Sequence, residues 1–260
     1  MAGSETARAL SSVRVRRLII EQSKRAHVGH IGSALSIADI LVALFSGTVD
    51  PEVDVFILSK GHAALAQYCV LTELGLMSHE TLDTYCGDDS QLGVHPDHTL
   101  PGITFSTGSL GHGPSLGAGV ALAKRIAGKP GRVFVLMSDA ELNEGSVWEA
   151  VMFAGHHKLD NLTVILDNNG QQALAPTVDV IDLSGVDRLV QTLGWESRRV
   201  DGHDVDELTT ALDVNTPGKP LFVIADTLAG KGVSFMERQV KWHYLPVDDA
   251  QFAQAMGEIG

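Results

Sequence analysis

The segment from Arg132 to Gln172, RVFVLMSDAELNEGSVWEAVMFAGHHKLDNLTVILDNNGQQ, constrains the fold more than any other. An apolar run, Val133 to Met137, closes on Ser138-Asp139-Ala140, and a helix-like stretch opens near Glu141. A second apolar run, Leu162 to Leu166, closes on Asp167-Asn168-Asn169-Gly170. Short β-branched runs bounded by polar turns and separated by a helix predict one βαβ unit. Its two strands are parallel, so Asp139 and Asn169 leave the sheet at the same carboxyl edge, where open α/β sheets bind ligands.

A carboxylate and an amide oxygen at that edge are ligands for a hard cation. Mg²⁺ in particular takes few protein ligands and completes its shell with substrate phosphates. The helix entered near Glu141 would turn its first amides toward those phosphates. The same residues also read as a helix cap and a turn support, and spacing leaves both readings open.

The rest of the chain extends the alternation. Apolar residues recur at helical spacing from Thr6 to Arg25, and Arg14, Arg16, Arg17, Lys24 and Arg25 make this helix basic. That face reads as a phosphate-recruiting patch or, preferably, as a solvated surface. A helix is expected from Ser36 to Phe45, a strand from Val55 to Leu58 and a helix from Ser115 to Ile126. Further on, a helix (Gly185 to Thr192), a strand (Glu196 to Val200), a helix (Val205 to Leu212) and a strand (Leu221 to Asp226) follow. The expected fold is a single doubly wound α/β domain, 1–260, with a mostly parallel sheet and helices on both faces. With 260 residues, 44% of them hydrophobic, the chain can bury a large core.

Several residues outside the central unit bear on chemistry. His30 lies between Gly29 and Gly32 and reads as a turn residue or a site residue. His62 opens a helix in Ser59-Lys60-Gly61-His62, where the macrodipole disfavours a protonated imidazole, so it reads as a neutral proton relay or a cap. His95 precedes Pro96, which holds its backbone extended. It sits in a turn-rich stretch between Cys86 and Pro114 too long to be a simple connection. Lys231, between two glycines, reads as a phosphate contact or a plain loop lysine. Glu144 and Glu149 share a helix face only in part, so spacing makes no acid/base pair of them. His156 and His157 close that helix and read as structural.

Charge and cysteine content exclude some partners. The formal charge of −13 argues against nucleic acid and anionic membranes. Cys69 and Cys86 are too few for a disulfide framework or a zinc site, and a reducing, cytoplasmic location fits. The N-terminus lacks the uninterrupted apolar stretch of a signal peptide, and no apolar run approaches a membrane span.

Taken together, these motifs resemble the transketolase family. SDAELNEG…VWEA…FAGHHKLDNL…DNN is similar to its thiamine diphosphate motif, GDG followed by N. AHVGHIGSALS is similar to its SGHPGGSLS element, LSKGHAALAQY to LSKGHAALALY, and VHP to GHP. STGSLGHG is similar to TGSLGQG, DGHD to VDGHD, and LAGKGVSFME…WH to HTVKGKGVSFME…WH. The likeness runs from about Arg14 to Met256 and is closest to the N-terminal subunits of split, two-chain transketolases. The family's first and third motif glycines are Ser138 and Ala140 here, its Gln is His112, and Tyr244-Leu245 follow His243.

This resemblance implies a thiamine diphosphate-binding fold. Mg²⁺, with Ca²⁺ or Mn²⁺ as substitutes, would be held by Asp139, Asn169 and the backbone carbonyl of Gln171. Cofactor contacts would come from His62, Gly108, Ser109, Leu110, Ser138, Asp139, Ala140, Glu144, Asn169 and Lys231. His30, His62, His95 and His243 would serve proton traffic and bind substrate hydroxyls. Glu144 and Glu149 would lie buried in an acidic path between two active sites. A second domain that grips the aminopyrimidine and supplies a glutamate is expected on a partner chain of the C-terminal type, in an α₂β₂ assembly. The implied activity is transfer of a two-carbon ketol unit from a ketose to an aldehyde. Alternatives are transfer of a ketol or acyl group to an unusual acceptor such as a carrier protein, and a non-catalytic paralogue that stabilises a partner chain. Ser138 and Ala140 motivate the last.

Overall fold

The computed structural model describes residues 10–260. Five strands form one sheet: β1 (Val55–Leu58), β2 (Val133–Ser138), β3 (Leu162–Asn168), β4 (Glu196–Asp201) and β5 (Leu221–Asp226). Their order is β1-β2-β3-β5-β4, and every pair is parallel. The sheet expected as mostly parallel is thus wholly parallel among the described residues, because a helix-bearing crossover separates each strand from the next.

Both sheet faces are covered, which explains the continuous apolar runs. Side chains alternate between two cores with period two. Phe134, Leu136, Ile165, Leu221, Val223 and Ala225 face one core. Val133, Val135, Met137, Val164, Leu166, Phe222 and Ile224 face the other. The first core is closed by α1 (Ser12–Ala26), α2 (Ile31–Ser36), α3 (Ala38–Ala43), α4 (Ala64–Glu73), α5 (His79–Leu82) and later elements. The second is closed by α6 (His112–Ile126), α7 (Gly145–His156) and, beyond the short α8 (Thr177–Val180), α9 (Val186–Thr192). Then α10 (Val205–Leu212) and α11 (Asp249–Glu258) return to the first side.

Three local expectations are corrected. The helix expected from Ser36 to Phe45 starts at Ile31 and breaks at Ile37 (φ −96°, ψ 2°), so Gly32 lies inside a helix. The helix expected near Glu141 is a 3₁₀ turn, Asp139–Asn143, and α7 begins only at Gly145 behind extended Glu144. The basic face of the first helix is not uniformly solvated, since Arg16 is buried against Asp39. The start of that predicted helix, Thr6 to Ala9, lies outside the described residues. Between α5 and α6 the turn-rich stretch carries no helix or strand and is anchored by buried Leu92, Leu100 and Ile103.

Candidate active site

Register places the two motif ends side by side. Ser138 pairs with Asp167 at the carboxyl ends of β2 and β3, so Asp139 and Asn169 each lie just beyond the last paired residues. A cavity of about 400 Å³ opens there. His30, His62 and His243 line it on one side, and Ser138, Ala140, Asn169 and Gln171 on the other. Gly108, Leu110 and Glu144, also expected at the site, line it too.

Close backbone approach sets the histidines. His30 caps α2 in the left-handed region (φ 62°), and its amide donates to the His243 carbonyl at 3.0 Å. Gly29 permits this, because a Cβ there would stand 2.2 Å from the Tyr244 carbonyl oxygen. The ring of His62 meets Ser33 Oγ through Nε2 at 2.8 Å. Ring centroids lie 5.5 Å apart for His30 and His62, 5.1 Å for His30 and His243, and 5.5 Å for His62 and His243. Three imidazoles this close disfavour one another's protonation, and burial adds to the effect. Burial foremost, then the Lys60 ammonium and the neighbouring imidazoles, hold His62 well below the usual histidine range. Burial and then His30 bring His243 down to about 4, and burial and then His95 lower His30. His62 is therefore neutral, as expected, but burial and Lys60 lead rather than the start of a long helix.

Asp139, 1% exposed, stands between the lining residues Ser138 and Ala140 and is not itself part of the lining. One carboxylate oxygen accepts from the Ala140 amide at 2.9 Å; the other accepts from the Gly170 amide at 2.9 Å and Thr177 Oγ1 at 2.7 Å. All three donors are neutral, and burial pushes the carboxyl up to about 6. Asn169 accepts from the Gln171 amide through Oδ1 at 2.9 Å and donates from Nδ2 to Asp167 at 2.8 Å. Ser138 is in ordinary extended backbone (φ −95°), so its position does not require glycine. Its amide donates to Glu141 Oε2 at 2.8 Å as part of a capping box, and its hydroxyl donates to the same oxygen at 3.3 Å. The Ser138 side chain is thus engaged within its own turn.

Some expected residues stand apart from the cavity. Ser109 is exposed and Lys231 half-buried, and neither lines it; Ala229 and Gln239 come from the Lys231 loop and its continuation. His95 is exposed with its ring against Gly108, where an added Cβ would sit 3.1 Å from the imidazole. Glu144 and Glu149 are exposed in the isolated chain rather than buried together. Other site residues were not singled out by the sequence, although Glu141, Asn143 and Lys60 lie inside its motifs. Buried Glu141 gathers Ser59 Oγ, the Gly111 amide at 2.9 Å and the Ser138 amide at 2.8 Å, tying three site loops together. Asn143, Gln172 and Leu174 line the cavity. Lys60, wholly buried, pairs with wholly buried Asp167. Lys60 stands in Ser59-Lys60-Gly61-His62, but its burial is a tertiary fact that no local pattern marks.

Three of the cavity's lining residues, His30, Asn143 and Gln172, each carry a buried side-chain atom (Nδ1, Oδ1 and Nε2) that has no hydrogen-bond partner among the described residues. Buried polar groups left unpaired are costly, so a polar ligand is the natural partner for them.

Comparison with known proteins agrees with this fold. Residues 7–260 match the family described as "Transketolase, thiamine diphosphate binding domain". The chain is 37% identical to one of the subunits of apulose-4-phosphate transketolase from Actinobacillus succinogenes, over 88% of this chain and 87% of that one. It is 34% identical to the SqwG subunit of 6-deoxy-6-sulfo-D-fructose transketolase from a Clostridium species, covering 94% and 93%. Among solved structures, transketolase from Leishmania mexicana superposes with a TM-score of 0.90 at 26% identity, covering all of this chain but 42% of that one. The chain belongs to the transketolase family and carries its thiamine diphosphate-binding domain.

Proposed function

We propose that this chain is the diphosphate-binding subunit of a two-chain, thiamine diphosphate-dependent transketolase that moves a two-carbon ketol unit from a ketose to an aldehyde. The observation that carries this reading is the convergence of three neutral imidazoles over a buried carboxylate and amide at one sheet edge. A partner chain of the C-terminal type would supply the aminopyrimidine-binding domain and its glutamate, in a cytoplasmic α₂β₂ assembly. Relatives of matched length are named as single subunits of a transketolase rather than as the whole enzyme, which supports a partner.

The site's chemistry fits Mg²⁺. Asp139 is held by neutral donors alone and resists ionising, and a divalent cation would supply the missing positive charge. Asp139, Asn169 and the Gln171 carbonyl are all hard oxygen donors. Among the described residues no three His, Cys, Asp or Glu side chains converge as a complete cage. A cation that draws its remaining ligands from a diphosphate needs none. Ca²⁺ or Mn²⁺ would fit the same donors.

When bound, the cofactor supplies the nucleophilic carbon that takes up the ketol unit. The chain's own residues have other tasks. His62, neutral and oriented by Ser33, can accept or return a proton at Nδ1 or Nε2. His30 lines the cavity and its Nδ1 has no partner among the described residues, which leaves the imidazole for a substrate hydroxyl or a developing alkoxide. His243, also neutral, faces the same space. His95 would act from the rim, and Lys231 beyond the lining. The backbone near Gly108, Ser109 and Leu110 would border the aminopyrimidine. Ser138 and Ala140 motivate a non-catalytic paralogue, but Ser138 hooks onto Glu141 and the cavity beside it persists, which favours the enzyme.

Calorimetric titration of thiamine diphosphate, with and without Mg²⁺, tests the proposal on the chain alone and with its partner chain. Mg²⁺-dependent binding that tightens in the complex is the expected result. Absence of binding in both forms would sink the cofactor reading.

A further inference from the structure

Asp167 follows the apolar stretch of β3, two residues before the lining residue Asn169, and has no exposed surface. Its Oδ1 accepts from Thr227 Oγ1. Its Oδ2 accepts from Ser36 Oγ at 2.8 Å, from Lys60 Nζ, and from Asn169 Nδ2 at 2.8 Å. Lys60 also donates to the Ser33 carbonyl at 3.2 Å, and the Ser33 hydroxyl meets His62.

These contacts decide which end of the Asn169 carboxamide faces where. A carboxylate only accepts, so it takes the NH₂ end. The Gln171 amide only donates, so it takes the oxygen end. A flipped Asn169 would set oxygen against carboxylate and NH₂ against N–H, losing both bonds. The oxygen is thereby held on the Gln171 side, among the residues that line the cavity.

We propose that the buried Lys60–Asp167 pair is a positioning device: it locks Asn169 so that its oxygen, not its nitrogen, is offered to the cation. This rests on the metal reading above. The pair also reaches the imidazole end of the site through Ser33, so one buried lysine braces both ends. Neither residue touches the cavity, and both act through neighbours that do.

Mg²⁺ affinity of the full chain, measured calorimetrically with thiamine diphosphate present, is the test. Asp167→Asn offers Asn169 a side chain that can turn either end toward it, and affinity should fall about 10- to 100-fold, as for other residues that orient metal ligands. Adding Asn169→Asp conserves charge and leaves oxygen at both termini, so nothing remains to be aimed. Affinity should then recover, because either carboxylate oxygen can meet the cation whichever way the side chain turns. Thr227→Val removes a different bond of the same carboxylate; it should lower the urea midpoint and leave Mg²⁺ affinity unchanged. Equal losses in Thr227→Val and Asp167→Asn would reduce the pair to scaffolding and overturn the inference. So would Mg²⁺ affinity in Asp167→Asn matching wild type. Should Asp167→Asn not fold, the double exchange decides, and a folded double variant with weak Mg²⁺ binding refutes the idea. A wild-type chain that binds thiamine diphosphate without any Mg²⁺ dependence would instead remove the metal reading itself, and the inference with it.

Discussion

Replacing Asp139 by Asn should change how the metal-free chain's stability depends on pH, by an amount the structure supplies. Burial raises this carboxyl from its ordinary 3.8 to about 6, against the pull of Thr177 and Gly170. The folded state therefore holds this proton more tightly than the unfolded state does. The contribution to stability is fully present below about pH 4 and is lost as pH rises through about 6. Each tenfold change in proton affinity is worth about 1.4 kcal/mol, so the ionised carboxylate costs the folded chain roughly 3 kcal/mol near pH 7. A carboxamide at this position never ionises and has no such loss. It meets the Ala140 or Gly170 amide with an NH₂, a penalty of roughly 1–3 kcal/mol that does not vary with pH. The stability of the variant minus that of wild type should thus climb by roughly 3 kcal/mol between about pH 4 and pH 7. His30, His62 and His243, with lowered pKa values, act in the opposite direction, since their contribution is lost as pH falls below 6.5. They are common to both proteins and cancel in the difference. Urea unfolding followed by circular dichroism at stepped pH, without divalent cations, measures it. A flat difference would refute the claim that Asp139 is a buried charge awaiting a cation. Mg²⁺ with thiamine diphosphate should restabilise wild type near pH 7 and leave Asp139→Asn unmoved.

Lys60→Met should destabilise the chain by roughly 3–5 kcal/mol, because it strands a buried carboxylate, and urea titration reads this directly. The same change removes the second-largest cause of the lowered His62 pKa, so NMR titration should show that imidazole moving upward. His62→Ala, in a complex reconstituted with the partner chain, should cut turnover about 10²- to 10⁴-fold with the fold intact by circular dichroism; an unchanged rate removes His62 from proton transfer. Gly29→Ala should displace the Tyr244 backbone, which stands 2.2 Å from the new Cβ. Overpacking of this kind costs roughly 1–3 kcal/mol, and perturbed His243 resonances would locate it.

Periodicity and turn chemistry alone were enough for the α/β order, since strands buried on both faces must be continuous apolar runs. All five strands lie where the pattern put them, β1 and β5 to the residue. They also carried Asp139 and Asn169 to a common edge, because parallel strands end on the same side. Motif likeness brought His30, His62 and His243 into view, and they meet in one cavity. Chain pattern is silent on whatever depends on contacts distant in sequence. The break at Ile37 answers to packing, not to a glycine or proline. Burial of Lys60 against Asp167 needs β1, β3 and α2 brought together, and nothing local in Ser59-Lys60-Gly61-His62 distinguishes that lysine from a solvated one. Proximity to the cavity was likewise decided in three dimensions: Lys231, flanked by glycines, falls outside it, while Gln172 and Asn143 line it. Secondary structure is written in nearest neighbours along the chain, whereas the burial that tunes each carboxylate and imidazole comes from residues that meet only when the sheet is complete.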